Sequence, residues 1–221
     1  LSKFYENKYN THEFNVSLRT IREKYQYNIG FSVQPQQSTT SYEQGTIKVD
    51  TTRNVVNFSP TFDYRYRFNK QSMLRINYRG RTSQPSMTDL LPITDTSDPL
   101  NISKGNPSLK PSYTNSFMLF YNTFLPEKQQ SMMARLTFSN TINSVSNTVT
   151  YDEETGARIT QPKNINGNWS ASGGFVFNTP LKNKKFTVST FSDGSYNNMV
   201  GFTSLSGQTD SQKNTTRSLN L

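Results

Sequence analysis

The sequence predicts an all-β chain: an antiparallel up-and-down meander of long strands that forms part of an outer-membrane transmembrane β-barrel. Three observations carry this expectation. Apolar and polar residues alternate through long runs, as in strands whose two faces see different solvents. Short basic or Pro-containing turns alternate with long polar connections, the arrangement of barrels with short periplasmic turns and long outer loops. No stretch of about 18 apolar residues occurs, so no membrane-spanning helix is available, whereas a barrel needs an apolar residue only at every second position.

Composition supports the same reading. Only 32% of the 221 residues are hydrophobic and the mean hydropathy is -0.75, which supplies a conventional core poorly. An aromatic content of 13%, arranged periodically, argues against disorder. Cysteine is absent, which excludes a disulfide scaffold and thiol metal sites. The charge of +9 is spread over turns and polar faces without a recognition motif, so nucleic acid is not expected as a partner. No basic and apolar signal-peptide pattern follows Leu1, which says little if the chain is an excised piece.

Taken in order, Leu1 to Tyr9 reads as the end of an incoming loop. Phe14, Val16 and Leu18 then alternate with Asn15, Ser17 and Arg19, and a turn at 22–24 leads to Tyr25, Tyr27, Ile29, Phe31 and Val33 on one face of the return strand. The polar stretch 35–50 reads as a long mobile loop. The clearest hairpin spans Asn54 to Arg81: Val56, Phe58, Phe62, Tyr64, Tyr66 and Phe68 share one parity, and after a turn at 69–71 so do Leu74, Ile76 and Tyr78. Pro60 removes a ladder donor within this strand, which predicts a bulge.

A longer connection covers 82–111. The next hairpin turns at 126–130, with Met118 and Phe120 interrupting the polar parity of its first strand. Residues 142–159 read as a hairpin beyond the membrane with its tip at Asp152 to Gly156. The pattern resumes with Ile165, Trp169, Ala171, Phe175 and Phe177, where Trp169 reads as a mid-strand lipid-facing or girdle residue. A basic turn spans 179–185, and 192–212 reads as polar loop before the chain stops in mid-strand. Aromatic residues gather beside the short turns, where an interfacial girdle belongs.

Residues 81–117 read RTSQPSMTDLLPITDTSDPLNISKGNPSLKPSYTNSF. This segment resembles the barrels of TonB-dependent receptors, in particular the outer-membrane receptors of Bacteroidetes-type bacteria. There a Pro-Ser and Asp-Leu element precedes a Gly-Asn-Pro-x-Leu-Lys-Pro box. Asp89, Leu90 and Pro92 match the first part, and Gly105, Asn106, Pro107, Leu109, Lys110 and Pro111 match the box. Pro107 and Pro111 fix φ, and Gly105 permits the turn. The chain departs from the pattern at Ser112, where the family usually has Glu, and it ends on Leu221 rather than on an aromatic residue.

The resemblance implies a single segment, residues 1–221, truncated at both ends: about eight or nine strands of a barrel that has about 22 in the family. It implies TonB-dependent uptake of a siderophore, glycan or peptide. The partners it implies are outer-membrane lipid, an N-terminal plug domain of the same full-length chain and the TonB system, and it admits a surface lipoprotein. A passive structural or adhesive barrel and a soluble β binding module remain the alternatives.

Candidate site residues follow from parity. Arg65, Arg67, Arg75 and Arg79 would project into the lumen with Asp63, either to guide an anionic ligand or to pair with acids of the plug or of adjacent strands. No catalytic residues are expected: His12 is the only histidine, and its neighbour Glu13 points to the opposite face. No cofactor or metal is expected either. Asp95 and Asp98, or Asp152, Glu153 and Glu154, lack the ligand spacing of a calcium loop and read as solvated loop acids.

Overall fold

The computed structural model describes residues 3–182, 185–203 and 212–220. Lys184 of the basic turn, residues 204–211 of the last polar connection and Leu221 lie outside the described residues. In chain order the elements are β1 (Lys3–Thr11), β2 (Phe14–Ile21), β3 (Tyr25–Gln44), β4 (Ile47–Arg67), β5 (Ser72–Ser83) and a single-turn helix α1 (Met87–Leu90). There follow β6 (Thr94–Asp95), β7 (Asn101–Lys104), β8 (Ser112–Leu125), β9 (Gln130–Ile142) and β10 (Ser144–Tyr151). The last four are β11 (Arg158–Ile165), β12 (Asn168–Pro180), β13 (Thr187–Thr203) and β14 (Gln212–Asn220).

One sheet forms a wall in the order β1-β3-β4-β5-β8-β9-β12-β13-β14, with β2 also on β3, and every pairing is antiparallel. β1 and β2 lie end to end on β3 in one register, Thr11 facing Gln36 and Phe14 facing Val33. They are one strand broken at His12 and Glu13. Pro35 lies opposite the break and brings no N–H to the ladder, while its carbonyl still accepts from the His12 N–H at 3.0 Å. Among the described residues no helix is long and apolar enough to cross a membrane; strands make this wall.

Register places the apolar residues together on one face. Tyr66 faces Leu74, Leu74 faces Tyr121 and Tyr121 faces Ala134; one tier further, Phe62, Tyr78, Phe117 and Phe138 align. No second layer covers this face, and Val16, Leu136 and Phe138 stay 76%, 56% and 41% exposed. The soluble alternative required Phe62, Tyr64 and Phe175 to be packed inside a sandwich; they lie on this same face, half-buried or exposed, with no second layer over it among the described residues.

Two aromatic tiers mark the face. Tyr66, Phe68 and Tyr121 form one beside the short turns. A second, absent from the sequence reading, runs across five strands as Tyr78, Phe117, Phe138, Trp169 and Tyr196, with ring centroids 4.7–6.3 Å apart. Trp169 is the second residue of β12, at the loop end of the wall and not mid-strand. From Trp169 to Phe177 the strand climbs about 26 Å at roughly 3.3 Å per residue, close to the apolar height of an outer-membrane barrel once tilt is allowed for.

Four expectations are corrected. Lys3–Thr11 is a strand paired with Gln36–Gln44, not an incoming loop. Residues 35–50 are not a loop: β3 and β4 run on as a paired ribbon to a two-residue turn in which Gly45 adopts φ 59°. Residues 192–203 continue β13. No bulge forms at Pro60, since β3 and β4 keep one register through Phe31 and Pro60. The ladder to β5 is instead taken over by a side chain, with Thr82 Oγ1 accepting from the Phe58 N–H and donating to the Phe58 carbonyl, both at 3.1 Å.

The ribbon extends past the membrane because its faces change solvent. Below Pro35 and Val56 the outward residues are apolar; above them the outward parity carries Glu6, Lys8, Glu43, Lys48 and Asp50, all exposed. The inward parity there carries Tyr5, Tyr42, Val49 and Val55. A second sheet, in the order β10-β11-β7-β6, stands over the inner face at this end.

The two faces make opposite predictions for one substitution. In the full-length protein, Leu136→Arg on the lipid side should lower stability by about 2–4 kcal/mol, whereas Thr137→Arg on the inner side should cost much less. Urea titration in lipid vesicles, read by heat-modifiable gel mobility, measures both. A larger loss at Thr137 than at Leu136 would show that the faces have been assigned the wrong way round, and equal losses would show that they do not differ.

Candidate functional site

The inner face of the wall carries the arginines. β4 and β5 set Arg65 directly opposite Arg75, Arg79 opposite Thr61 and Arg67 opposite Met73. Arg75 donates to Asp63 Oδ1 at 3.3 Å, and Asn77 Nδ2 donates to the same oxygen. Like charges directly across a ladder repel, and Asp63 relieves the pair from one side. Arg65 has no acidic partner among the described residues, and its Nε is buried without a hydrogen bond.

The structure adds arginines that the sequence grouping left out. Arg19 closes a cavity of about 50 Å³ with Asp63, Arg65 and Arg75. Arg135 joins the row through Phe120, which lies between Arg75 and Arg135 in the register. The signal was present in the parity of each strand; lateral register, which a single sequence does not display, brings the residues together. Phe120 and Met118 therefore do not break the pattern: they are apolar groups on the inner face.

The family box is the joint of the outer assembly. α1 is capped by Ser86, whose Oγ accepts from the Asp89 N–H at 3.1 Å, and Pro92 stops it by holding Leu91 extended. Leu90 and Leu109, 4% and 3% exposed, pack with Met87 into a small core completed by Val145. The Asn106 N–H donates to the Asp89 carbonyl at 2.5 Å, and Asn106 Nδ2 donates to the Pro162 carbonyl at 2.9 Å. Asn106 Oδ1 accepts from the Ser108 N–H at 3.1 Å across the turn at Pro107. Lys110 exchanges two backbone bonds with the Asn164 amide, at 2.8 and 2.9 Å, just before Pro111 leads into β8. Gln161 Nε2 donates to the Gly105 carbonyl at 3.1 Å.

Gly105 serves differently from the sequence reading. It has no positive φ; a Cβ there would collide with the Leu91 carbonyl oxygen, so close approach excludes a side chain.

The joint also ties this lid to the wall. Arg53 of β4 donates to the Leu109 carbonyl at 3.1 Å. Lys3 of β1 pairs with Asp95 and donates to Ser97 at 3.3 Å. Beneath the lid Ser38, Thr40 and Tyr42 are buried, with Thr40 and Tyr42 at 0% and 2% exposure. The Lys3 ammonium and the Ser97 hydroxyl and N–H hold the Asp95 carboxyl down at about 2. The remaining loop acids are engaged locally. Hydrogen bonds from Asn101 and the Leu100 N–H lower Asp98, and Thr155 lowers Asp152. Among the described residues no cluster of three potential metal ligands occurs. His12 and Glu13 occupy the kink between β1 and β2, where Glu13 accepts from Ser32 at 3.1 Å.

A single-layer wall of long antiparallel strands, apolar outward and polar inward with a folded lid at one end, defines a barrel protein of the outer membrane. The sequence model of the Outer membrane protein beta-barrel family matches residues 3–221, and the chain belongs to that family. It is accordingly a protein of the bacterial outer membrane. No curated protein matches it.

Two outcomes test the lid. Leu109→Ala should cost about 2–5 kcal/mol within the lid and make residues 84–111 cleavable by added protease while the wall stays intact. Protection equal to that of the unaltered protein would remove Leu109 from the joint. The pH dependence follows from Asp95. Its carboxyl is held below its ordinary value, so its contribution is complete above about 4 and fades as pH falls toward 2; the Lys3 value is raised by Asp95, so that side fades only in strong alkali. Hydrogen exchange of residues 94–104 should rise between pH 4 and 2, and Asp95→Asn should abolish that step.

Proposed function

We propose that this wall belongs to an outer-membrane receptor for TonB-dependent uptake of a nutrient, a siderophore, glycan or peptide, with a plug domain of the same full-length chain seated against the arginines. The observation that carries the reading is the charge of the inner face. Arg19, Arg65, Arg67, Arg75, Arg79, Arg81 and Arg135 lie there against Glu13, Asp63 and Asp193. A wall that merely encloses water has no use for this excess, and the buried, unbonded Nε of Arg65 wants an acceptor. Acidic groups of a plug would supply it, and release of the plug on energisation would expose an anion-attracting path.

On this reading the TonB system acts through the plug, outer-membrane lipid packs the aromatic face, and a surface lipoprotein could cap the lid. The box supports it as architecture, since its residues hold the outer loops in one folded unit.

The test uses the full-length protein. It should capture the periplasmic domain of TonB in detergent. In planar bilayers it should conduct poorly until Arg65→Glu with Arg75→Glu loosens the plug and raises conductance at least tenfold. Failure to bind TonB, or high conductance of the unaltered protein, would overturn the proposal.

A further inference from the structure

The inner face is not uniform along the wall. Toward β12, β13 and β14 arginine gives way to hydroxyls and amides. A cavity of about 650 Å³ lies there, at the lid end. Its floor comes from the inner parity of four adjacent strands: Ser139 and Thr141 of β9, Ser170 of β12, Asn197 and Met199 of β13 and Thr216 of β14. Its roof is the start of β10, Ser144 to Ser146, which passes over Gly201, where a Cβ would lie in ordinary contact with Ser146 Oγ at 3.5 Å.

Both surfaces are held. The Asn143 N–H donates to Asn166 Oδ1 at 2.6 Å at the base of the roof. Asn198 Nδ2 donates to the Gly167 carbonyl at 2.7 Å, and the Val200 N–H to Asn168 Oδ1 at 2.5 Å. The volume falls within the range of small-molecule sites, roughly 300–1,000 Å³.

We infer that this cavity binds an uncharged, hydroxyl-rich ligand, a short neutral oligosaccharide. No lining residue is charged. Two other cavities of the molecule are unlike it: one is bordered by Glu13, Arg79 and Arg81, the other by Asp89, Asp95 and Lys104. An ionic ligand entering here would lose hydration without a counter-charge.

Ser, Thr and Asn side chains both donate and accept, which matches hydroxyl groups that do the same. Met199, 66% exposed, gives an apolar surface for the C–H face of a sugar ring. A peptide fits less well. It gains affinity by adding to a free strand edge, whereas three of the four floor strands, β9, β12 and β13, are paired on both sides and only β14 borders the floor as an edge.

This assignment rests on the reading of the barrel as a nutrient receptor and specifies its ligand. The experiment titrates the full-length protein in detergent with maltotriose, cellotriose, mannotriose and xylotriose, and with trigalacturonate as the anionic comparison. At least one neutral trisaccharide should bind. Ser170→Trp, which fills the floor, should weaken it tenfold or more, and Lys48→Trp on the outward side of β4 should leave it unchanged. If Ser170→Trp loses heat-modifiable mobility, Asn197→Ala with Thr216→Ala replaces it and should weaken binding by the same factor. Binding of trigalacturonate alone, binding of none of the neutral probes, or binding indifferent to the floor substitutions would each overturn the assignment. Binding to the purified protein needs no energised membrane, so a failure here is distinct from a failure to engage TonB.

Discussion

A backbone N–H facing hydrocarbon has no water to turn to, so each strand crossing the membrane must find its hydrogen bonds within the wall. The two prolines on the central strands show how strictly this holds. Pro35 leaves a gap opposite His12, and the outermost strand breaks there into β1 and β2 without changing register. At Pro60 the hydroxyl of Thr82 supplies what the ring removed, bonding both backbone groups of Phe58. Gly80, opposite, is the complement: a Cβ there would meet the Pro60 ring at 2.9 Å and collide with Tyr113. One missing donor thus dictates a glycine and a threonine on the neighbouring strand.

Within the membrane the same constraint made the fold readable. Each residue of Tyr25 to Val33, Val56 to Phe68 and Leu74 to Tyr78 has one lipid face to satisfy, and its parity declares it. Where the wall leaves the bilayer the logic reverses. Val55 and Val56 stand side by side because the first packs inward beneath the lid and the second outward toward lipid. Tyr42 has the opposite parity to Tyr25, Tyr27 and Ile29 for the same reason. Residues 35–50 therefore lacked the expected alternation and read as a loop, although their Ser, Thr and Gln side chains are ladder residues. Residues 192–203 read as loop for another reason: Ser192, Gly194 and Asn198 of the outward parity pair with Phe175, Gly173 and Trp169 inside the membrane span without being apolar themselves.

The box illustrates a second limit. Its residues stood out in the sequence, and their conformational reading was right for the prolines. Their purpose lay in contacts some 50 residues away, with Gln161, Pro162 and Asn164. Asn106 bonds the Asp89 and Pro162 carbonyls, the Lys110 backbone bonds the Asn164 side-chain amide, and Leu90 with Leu109 makes the lid's core. The motif holds the lid together.

The character of the lumen is written in the residue types of the inner parity, read across strands. Along β4, β5 and β9 that parity is charged: Arg65, Arg75 and Arg135 with Phe120 among them. Along β12 and β13 it becomes Ser170, Ser172, Asn197 and Ser195. Asp193 closes the charged row at its far end, separated from Arg135 by Gly174, whose missing side chain leaves the space between them open. A charged partner gains by seating where arginines wait, and a neutral one gains where none compete for its water. On the reading proposed above, dividing the wall in this way would let a large ionic plug surface and a small uncharged ligand share one lumen without either being forced to desolvate against the wrong neighbour.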